Sequence, residues 1–208
     1  MEIIDLTFEP GGNLFKTQRS DVRLKSPGVE YTGLVYEFTM SSEAGTYLDL
    51  PGHIAETDDG QDAANYPLEK IYRRRAVVVR LDRSDESGGV TAAELAGACA
   101  AEIRPGDALV INALGGRQFY GINKRSVFLE LDAVEWIIAR KVELLVSDIY
   151  ESRALLGVFH KLFQAGVSTV CHPVNLDRLT VSEIKLTVMP LPVRGITQIP
   201  CRVVAEIE

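Results

Sequence analysis

Four side chains that can exchange or share protons lie at odd-numbered positions of one short stretch, SSEAGTYLDLPGH (41–53): Glu43, Tyr47, Asp49 and His53. Side chains of an extended chain alternate between two faces, so an extended segment would place all four on one face. Histidine exchanges protons near neutral pH, a carboxylate can orient it, and a phenol can donate a hydrogen bond to developing negative charge. The spacing therefore predicts acid–base chemistry centred on His53.

The chain contains only three histidines, so the other two are also candidates for this chemistry. His160 lies in the predicted helix LLGVFHKLF, where an inward-facing imidazole would need a polar partner. His172 follows Cys171 at the end of an apolar segment that is typical of a strand. A structural histidine is the plainer interpretation of each.

The segment ALGGRQFYG (113–121) follows an apolar strand-like segment and carries Phe119 and Tyr120. Loops that follow strands often line binding sites, so these two aromatic residues are predicted to bind substrate; an ordinary surface loop fits the segment equally well. The segment lacks the Lys-Ser/Thr ending of a phosphate-binding loop, and no serine lies in a nucleophile-elbow pattern. These absences argue against a kinase, a nucleoside triphosphatase and an α/β-hydrolase.

Composition narrows the class of protein further. With 208 residues, 46% of them hydrophobic, the chain suits a single domain over 1–208. A net charge of −7 predicts no nucleic-acid partner and no polybasic membrane contact. The acidic N-terminus does not resemble a signal peptide, and the three cysteines are too widely spaced for a disulfide framework, so a cytoplasmic location is expected.

Hydrophobic patterns predict alternating strands and helices, which is typical of an α/β domain. Residues 1–28 are expected to form an N-terminal strand followed by a loop-rich arm. The predicted strands are 2–8, 29–40, 75–82, 142–149, 167–172 and 196–208, and 104–113 is predicted to be a turn followed by a strand. The predicted helices are 91–103, 128–141 and 154–166. Thr91 and Glu94 have the spacing of a helix capping box.

The segment GTYLDLPGH resembles the HxGTHxDxPxH signature of the cyclase family, which includes bacterial kynurenine formamidases, isatin hydrolases and certain polyketide cyclases. The resemblance extends over nearly the whole chain. It continues in order through YPLEKIYRRRAVVVRLD, VTAAELAGACAAEIRPGDALVINALGG, DAVEWIIARKVELLVSDI, HKLFQAGVSTVCHPVNLDRL and LPVRGITQIPCRVVAEIE. It implies the family's swivelling β/β/α fold and a homodimer or homotetramer in which the N-terminal arm reaches a neighbouring subunit.

The same resemblance implies a site for one or two divalent metal ions, but the chain departs from the family's metal-binding pattern. Glu43 stands where the first ligand histidine is expected, and Tyr47 replaces the second. Asp49 is retained, as is His53, which the resemblance makes the proton donor and acceptor.

The later part of the motif is altered as well. His160 matches the later histidine of the family, while Cys171 falls where a glutamate ligand is expected. A shift of one residue would place His172 there instead. We therefore expect no bound cofactor, although the retained groups leave room for a single zinc or manganese ion.

Without a metal, the surviving groups suit proton transfer beside a carbonyl, followed by ring closure, dehydration or lactone formation. The sequence thus predicts a cyclase or lyase that acts on a reactive, carbonyl-rich, polyketide-like small molecule. His53, Tyr47, Asp49, Glu43 and His160 would be catalytic, and Cys171, His172, Phe119 and Tyr120 would bind substrate. A metal-dependent amide or lactone hydrolase and a non-catalytic small-molecule-binding relative remain the alternatives.

Overall fold

The structure is a computed structural model that describes residues 1–81, 83, 87–116 and 125–207. The strands are β1 (Glu2–Asp5), β2 (Phe15–Ser26), β3 (Val29–Met40), β4 (Tyr47–Asp49), β5 (Arg74–Arg80), β6 (Gly88–Val90), β7 (Ala108–Asn112), β8 (Val127–Leu129), β9 (Leu144–Ser147), β10 (Ser168–Cys171), β11 (Glu183–Pro190) and β12 (Gln198–Ile207). The α-helices are α1 (Ala92–Ala98), α2 (Leu131–Ala139) and α3 (Val158–Gln164). This composition confirms the predicted α/β class.

Within the described residues, seven strands close into a barrel in the order β12-β11-β5-β7-β9-β10-β4, because β4 pairs with both β10 and β12. Strands β5, β7, β9 and β10 run parallel to one another, whereas every pairing that involves β11, β12 or β4 is antiparallel. β1 extends the sheet alongside β12. Closure is what brings the short strand β4 against the carboxyl end of β10.

Two apolar clusters hold the barrel and its helices together. All seven barrel strands contribute side chains to one cluster, among them Leu48, Val78 and Val203, so this cluster fills the barrel. The other cluster packs the opposite faces of several strands against α1, α2 and α3, and it contains Tyr47 and Cys171. These two residues therefore lie on the helix side of the sheet.

The predicted capping box of α1 is confirmed: the Thr91 side chain accepts from the Glu94 amide, and the Glu94 carboxylate accepts from the Thr91 amide. The helix is shorter than predicted, since it ends at Ala98. Beyond it, Cys99, Ala101 and Ile103 pack against the core. That spacing of two is the spacing of an extended chain, not of a helix.

The prediction of a loop-rich arm at 11–28 is wrong. Residues 15–26 form β2, which pairs along its whole length with β3 in a two-stranded hairpin. Pro27 and Gly28 make the turn, and Gly28 has a φ of +83° that favours glycine. The charged side chains of β2 hide the alternation of apolar and polar residues by which a strand is recognised in a sequence. β11 was also not predicted.

Candidate active site

The segment 41–53 is not one extended strand, so the predicted shared face holds for only two of its four side chains. Tyr47 and Asp49 lie on the same face of β4, but Glu43 precedes the strand in a turn and His53 lies in a 3₁₀ helix at 51–53. Gly45 has a φ of +74°, and a Cβ there would lie 2.5 Å from a backbone oxygen. The backbone turns at this close contact, so the alternation of side chains between the two faces of β4 does not extend back to Glu43.

A cleft of about 180 Å³ opens beside the carboxyl ends of β9 and β10. Within the described residues, four of the predicted site residues line it: Glu43, Tyr47, Cys171 and His172. The other lining residues are Arg125, Val127, Ser147, Asp148, Ile149, Tyr150, Glu151 and Phe159. The cleft therefore combines aromatic surface with several ionisable groups.

Tyr47 and His172 form one wall of this cleft. Their rings meet edge to face with 5.2 Å between centroids. His172 directly follows β10 with a left-handed backbone, φ 56°, which is uncommon for a residue other than glycine. The hydroxyl of Thr46 donates to the His172 carbonyl at 2.8 Å and helps to hold this conformation.

Tyr47 also contacts Cys171, its partner across the β4–β10 pair. Burial, followed by the proximity of Cys171 and Asp49, raises the pKa of the Tyr47 phenol well above its usual value. Burial likewise raises the pKa of the Cys171 thiol. At neutral pH both groups therefore keep their protons and can act as hydrogen-bond donors.

Asp49 lies behind this wall, only 3% exposed. One carboxylate oxygen, Oδ2, accepts from the Cys171 thiol at 3.6 Å, whereas Oδ1 has no hydrogen-bond partner within the described residues. Burial raises the pKa of the Asp49 carboxyl from an ordinary 3.8 to about 6. A buried carboxyl that titrates close to working pH is a common feature of functional sites.

His53 lies close enough to Asp49 for its charge to lower the pKa of that carboxyl. Its Nε2 lies 3.3 Å from Nε2 of Gln198, whose side-chain oxygen accepts from the hydroxyl of Ser42. His53 is exposed and is not among the residues that line the cleft. His53 therefore lies outside the lining of the cleft, although the sequence analysis centred the acid–base chemistry on it.

Two acidic residues that the sequence analysis missed also line the cleft, and both accept bonds from backbone amides. Asp148 accepts from Ala113 and Leu114, at 2.9 Å for the shortest bond to each amide. Glu151 accepts from four amides between Ser152 and Val158, at 2.6 to 3.1 Å. Through these hydrogen bonds, Asp148 holds the loop after β7 and Glu151 holds the loop after β9. Their position directly after a strand was the only available sequence signal.

The remaining predicted residues fall elsewhere. His160 is exposed on α3 and does not line the cleft. Phe119 and Tyr120 lie outside the described residues. The structure thus brings Glu43, Tyr47, Cys171 and His172 together, with Asp49 behind them, and separates His160 from them.

The donor set here does not fit the metal site that the resemblance implies. Within the described chain, no group of three or more histidine, cysteine, aspartate or glutamate residues is arranged to hold an ion. A structural zinc site uses four such ligands and a catalytic one three. Moreover, Cys171 and Tyr47 would have to lose protons that burial makes hard to remove.

No helix in the described part of the chain has the length and apolar character needed to span a membrane.

Comparison with solved structures shows the same fold over nearly the whole chain. Isatin hydrolase A from Ralstonia solanacearum matches with a TM-score of 0.79 and 20% identity, covering 100% of this chain and 92% of that one. A "potential metal-dependent hydrolase with cyclase activity" matches with a TM-score of 0.73 and 18% identity, over 100% and 98% of the two chains. A structure described as a novel cyclase matches with a TM-score of 0.75 and 18% identity, over 99% and 88%.

No curated protein matches the chain. A family model does: that of the Cyclase family, described as "Putative cyclase", matches residues 4–152, which is more than half of the chain. This match agrees with the closed barrel, with the retained Asp49 and with the fold of the solved structures. The chain belongs to the Cyclase family.

Proposed function

We propose that this chain is a cyclase or lyase that uses acid–base chemistry, without a metal ion, on a small molecule rich in carbonyl groups. Membership of the family supports cyclase or hydrolase activity at a coarse level. The observation that carries the finer proposal is the pair of rings on the cleft wall, Tyr47 and His172, with the buried Asp49–Cys171 contact directly behind it.

His172 is the imidazole that can reach a substrate in this cleft. In its neutral form it removes a proton from a carbon that lies between or beside carbonyl groups, and the resulting enolate carbon attacks a second carbonyl carbon of the same molecule. The protonated imidazole then returns its proton to the new alkoxide. Proton transfer of this kind contributes about 10²–10⁴-fold to rate.

Tyr47 supplies the complementary group. Because burial keeps its phenol protonated, it can donate a hydrogen bond to the enolate oxygen as negative charge develops there. The Cys171 thiol lies beside it and donates its own proton to Asp49. The two groups are pre-positioned by the β4–β10 pairing, so no large rearrangement is needed during the reaction.

Asp49 and His53 support this wall from behind. An ionised Asp49 next to the cleft favours the protonated form of nearby groups. His53 lowers the pKa of Asp49 and so favours the ionised carboxylate. The sequence-based role of His53, direct proton transfer to substrate, stays a prediction, and the relative loss of turnover in His53→Ala and His172→Ala separates the two roles.

Metal independence is proposed from the chemistry of the donors. Glu43 and Tyr47 stand at the two ligand histidine positions that the resemblance implies, and the available thiol and phenol are neutral. A carbonyl-rich, polyketide-like substrate is suited to such a site because its carbon acids are already activated. An amide, which needs a stronger electrophile or nucleophile, is less suited.

The test is a mass-spectrometric screen of a panel of linear polyketones, lactones and amides with protein treated with a chelator. We expect a polyketone to close a ring, with no change in mass for the aldol product and loss of one water where that product dehydrates, and both products to disappear in His172→Ala. Gain of one water by a lactone or amide, abolished by the chelator and restored by zinc or manganese, would contradict the proposal.

That second outcome would identify a metal-dependent hydrolase, which the buried, unpartnered Oδ1 of Asp49 favours as the second candidate. Elemental analysis of the purified protein provides a readout independent of turnover. Binding of panel members with no chemical change in any of them would instead favour a non-catalytic relative.

A further inference from the structure

A second cavity, of about 310 Å³, adjoins the cleft and shares one of its residues, Arg125. Two arginines and two serines contribute to its lining, which consists of Arg125, Ser126, Phe128, Ser152, Arg153 and Ala154. We call this cavity the arginine subsite. Since Arg125 lines both spaces, a ligand of modest length can contact the arginine subsite and the Tyr47–His172 wall at the same time.

Arg125 has no carboxylate partner within the described residues. It is exposed, and its backbone has a φ of 59°. The two acidic side chains of the adjoining cleft wall, Asp148 and Glu151, hold backbone amides. Because Arg125 lines both cavities, its side chain lies at the boundary between them.

Ser126 adds a second polar group with unmet bonding capacity. Its hydroxyl is buried and has no hydrogen-bond partner within the described part of the chain. Arg153 adds a second guanidinium to the same lining. Planar guanidinium groups bind carboxylates through paired hydrogen bonds, and a serine hydroxyl can donate to the same anion.

We propose that the arginine subsite binds a carboxylate of the substrate, and that this contact anchors the molecule with its reactive carbonyl groups against Tyr47 and His172. The inference rests on the proposed function and names the substrate class: an anionic keto acid. A singly charged carboxylate fits better than a doubly charged phosphate, because Glu43, Asp148 and Glu151 line the adjoining cleft and would repel the larger charge.

The probes are 4-oxo-4-phenylbutanoate, a keto acid, and its neutral amide, with binding measured by calorimetry and ligand-observed NMR. We expect the keto acid to bind more tightly than the amide. Arg125→Gln should raise the Kd of the keto acid about 10–100-fold, the effect of losing one charge-assisted hydrogen bond, and should not change the Kd of the amide. For Arg125→Lys, the Kd of the keto acid should lie between those of the wild type and Arg125→Gln, because lysine keeps the positive charge but lacks the paired N–H donors of a guanidinium.

Arg104→Gln is the matched control. It removes the same charge from an exposed arginine before β7, at the end of the strand opposite the loop that Asp148 holds. Its Kd for the keto acid should equal that of the wild type. Equal binding of keto acid and amide, no binding of either, an equal loss in Arg104→Gln, or displacement of the keto acid by inorganic phosphate more readily than by acetate would each overturn the inference.

Binding and turnover separate this inference from the proposed function. Selective binding of the keto acid without cyclisation of any compound would retain the arginine subsite and contradict the acid–base cyclase. Cyclisation of neutral polyketones as fast as acidic ones, with Arg125→Gln unchanged, would retain the cyclase and contradict the subsite.

Discussion

The barrel and the β2–β3 hairpin are built from similar residue types but differ completely in burial. In β7 every side chain is buried, whereas β2 and β3 contain no buried residue at all. The barrel interior covers one side of β5, β7, β9 and β10, and the helices pack on the other side. The difference shows that strand-forming residues specify a strand, while only a second layer determines whether their apolar surface is hidden.

The hairpin exposes apolar side chains on both faces. Residues that pair directly across an antiparallel ladder share a face. One face carries Phe38, Tyr36 and Leu34, and the other carries Val22, Val35 and Tyr31, all at least 42% exposed. Several large apolar side chains exposed close together are typical of a protein–protein interface. We therefore retain the proposal of a homodimer or homotetramer, with the hairpin in the interface.

The largest expected effect is loss of assembly when the hairpin is made polar. Leu34→Glu combined with Tyr36→Glu places two charges on one apolar face, so light scattering should show a fall from an oligomer to the mass of one chain, 22.9 kDa. The thermal unfolding of the barrel should change little. Met189→Glu, at a half-exposed site on the barrel strand β11, is the control and should leave the mass unchanged. A wild-type mass already near 22.9 kDa would contradict this prediction.

The next largest effect concerns two imidazoles, that of His172 in the cleft wall and that of His53 near Asp49. His172→Ala should lower kcat by about 10²–10⁴-fold, because it removes the acid–base group that lines the cleft. His53→Ala should lower kcat less and move the acidic limb of the pH–rate profile upward, since loss of its charge raises the pKa of Asp49.

Steady-state kinetics and melting temperatures measured on the same samples would check both variants. The exposed His160→Ala, on α3, serves as the control and should match the wild type. A larger loss in His53→Ala than in His172→Ala would support the role inferred from the family signature and contradict the assignment from the cleft.

A smaller effect is expected for the phenol of the cleft wall. Tyr47→Phe should lower kcat about 10–10³-fold with little change in KM, because the hydrogen bond that it removes strengthens only as charge develops on the substrate. Tyr66→Phe removes another buried hydroxyl, one that donates to Ser168 at 2.9 Å away from the cleft, and should not lower kcat. A change confined to KM in Tyr47→Phe would show that Tyr47 binds substrate without stabilising charge.

The smallest expected effect is on stability. The pKa of Asp49 is about 6 in the folded chain and 3.8 without burial, so the folded state holds this proton more tightly. Its contribution to the free energy of unfolding is therefore most favourable below about pH 4, falls as the pH rises to 6, and is constant above that. Asp49→Asn should remove this slope and stabilise the protein at pH 8 by about 1–3 kcal/mol relative to the wild type.

Urea unfolding at a series of pH values measures this slope. The pKa of Asp62 is lowered chiefly by a hydrogen bond from the amide of Gly195, so this residue provides a control of opposite sign. Its contribution is lost as the pH falls, so Asp62→Asn should not stabilise the protein at pH 8. An unchanged slope in Asp49→Asn would show that Asp49 is not the group responsible.

The sequence by itself determined the features that depend on near neighbours. The capping box of α1 follows from Thr91 and Glu94, three residues apart, and most strands follow from short apolar segments. The signature around Asp49 was sufficient to indicate the family. Each of these features depends on residues that lie within a few positions of one another in the chain.

Only the tertiary structure decided which groups share a cleft. Tyr47 meets Cys171 and His172 because β4 pairs with β10 more than a hundred residues later in the chain, and no local pattern encodes that pairing. Gly45 and the 3₁₀ turn at 51–53 then carry Glu43 and His53 off the face that alternation predicted. Burial, the physical cause of the raised pKa of Asp49, likewise exists only once the barrel has closed and the helices have covered it.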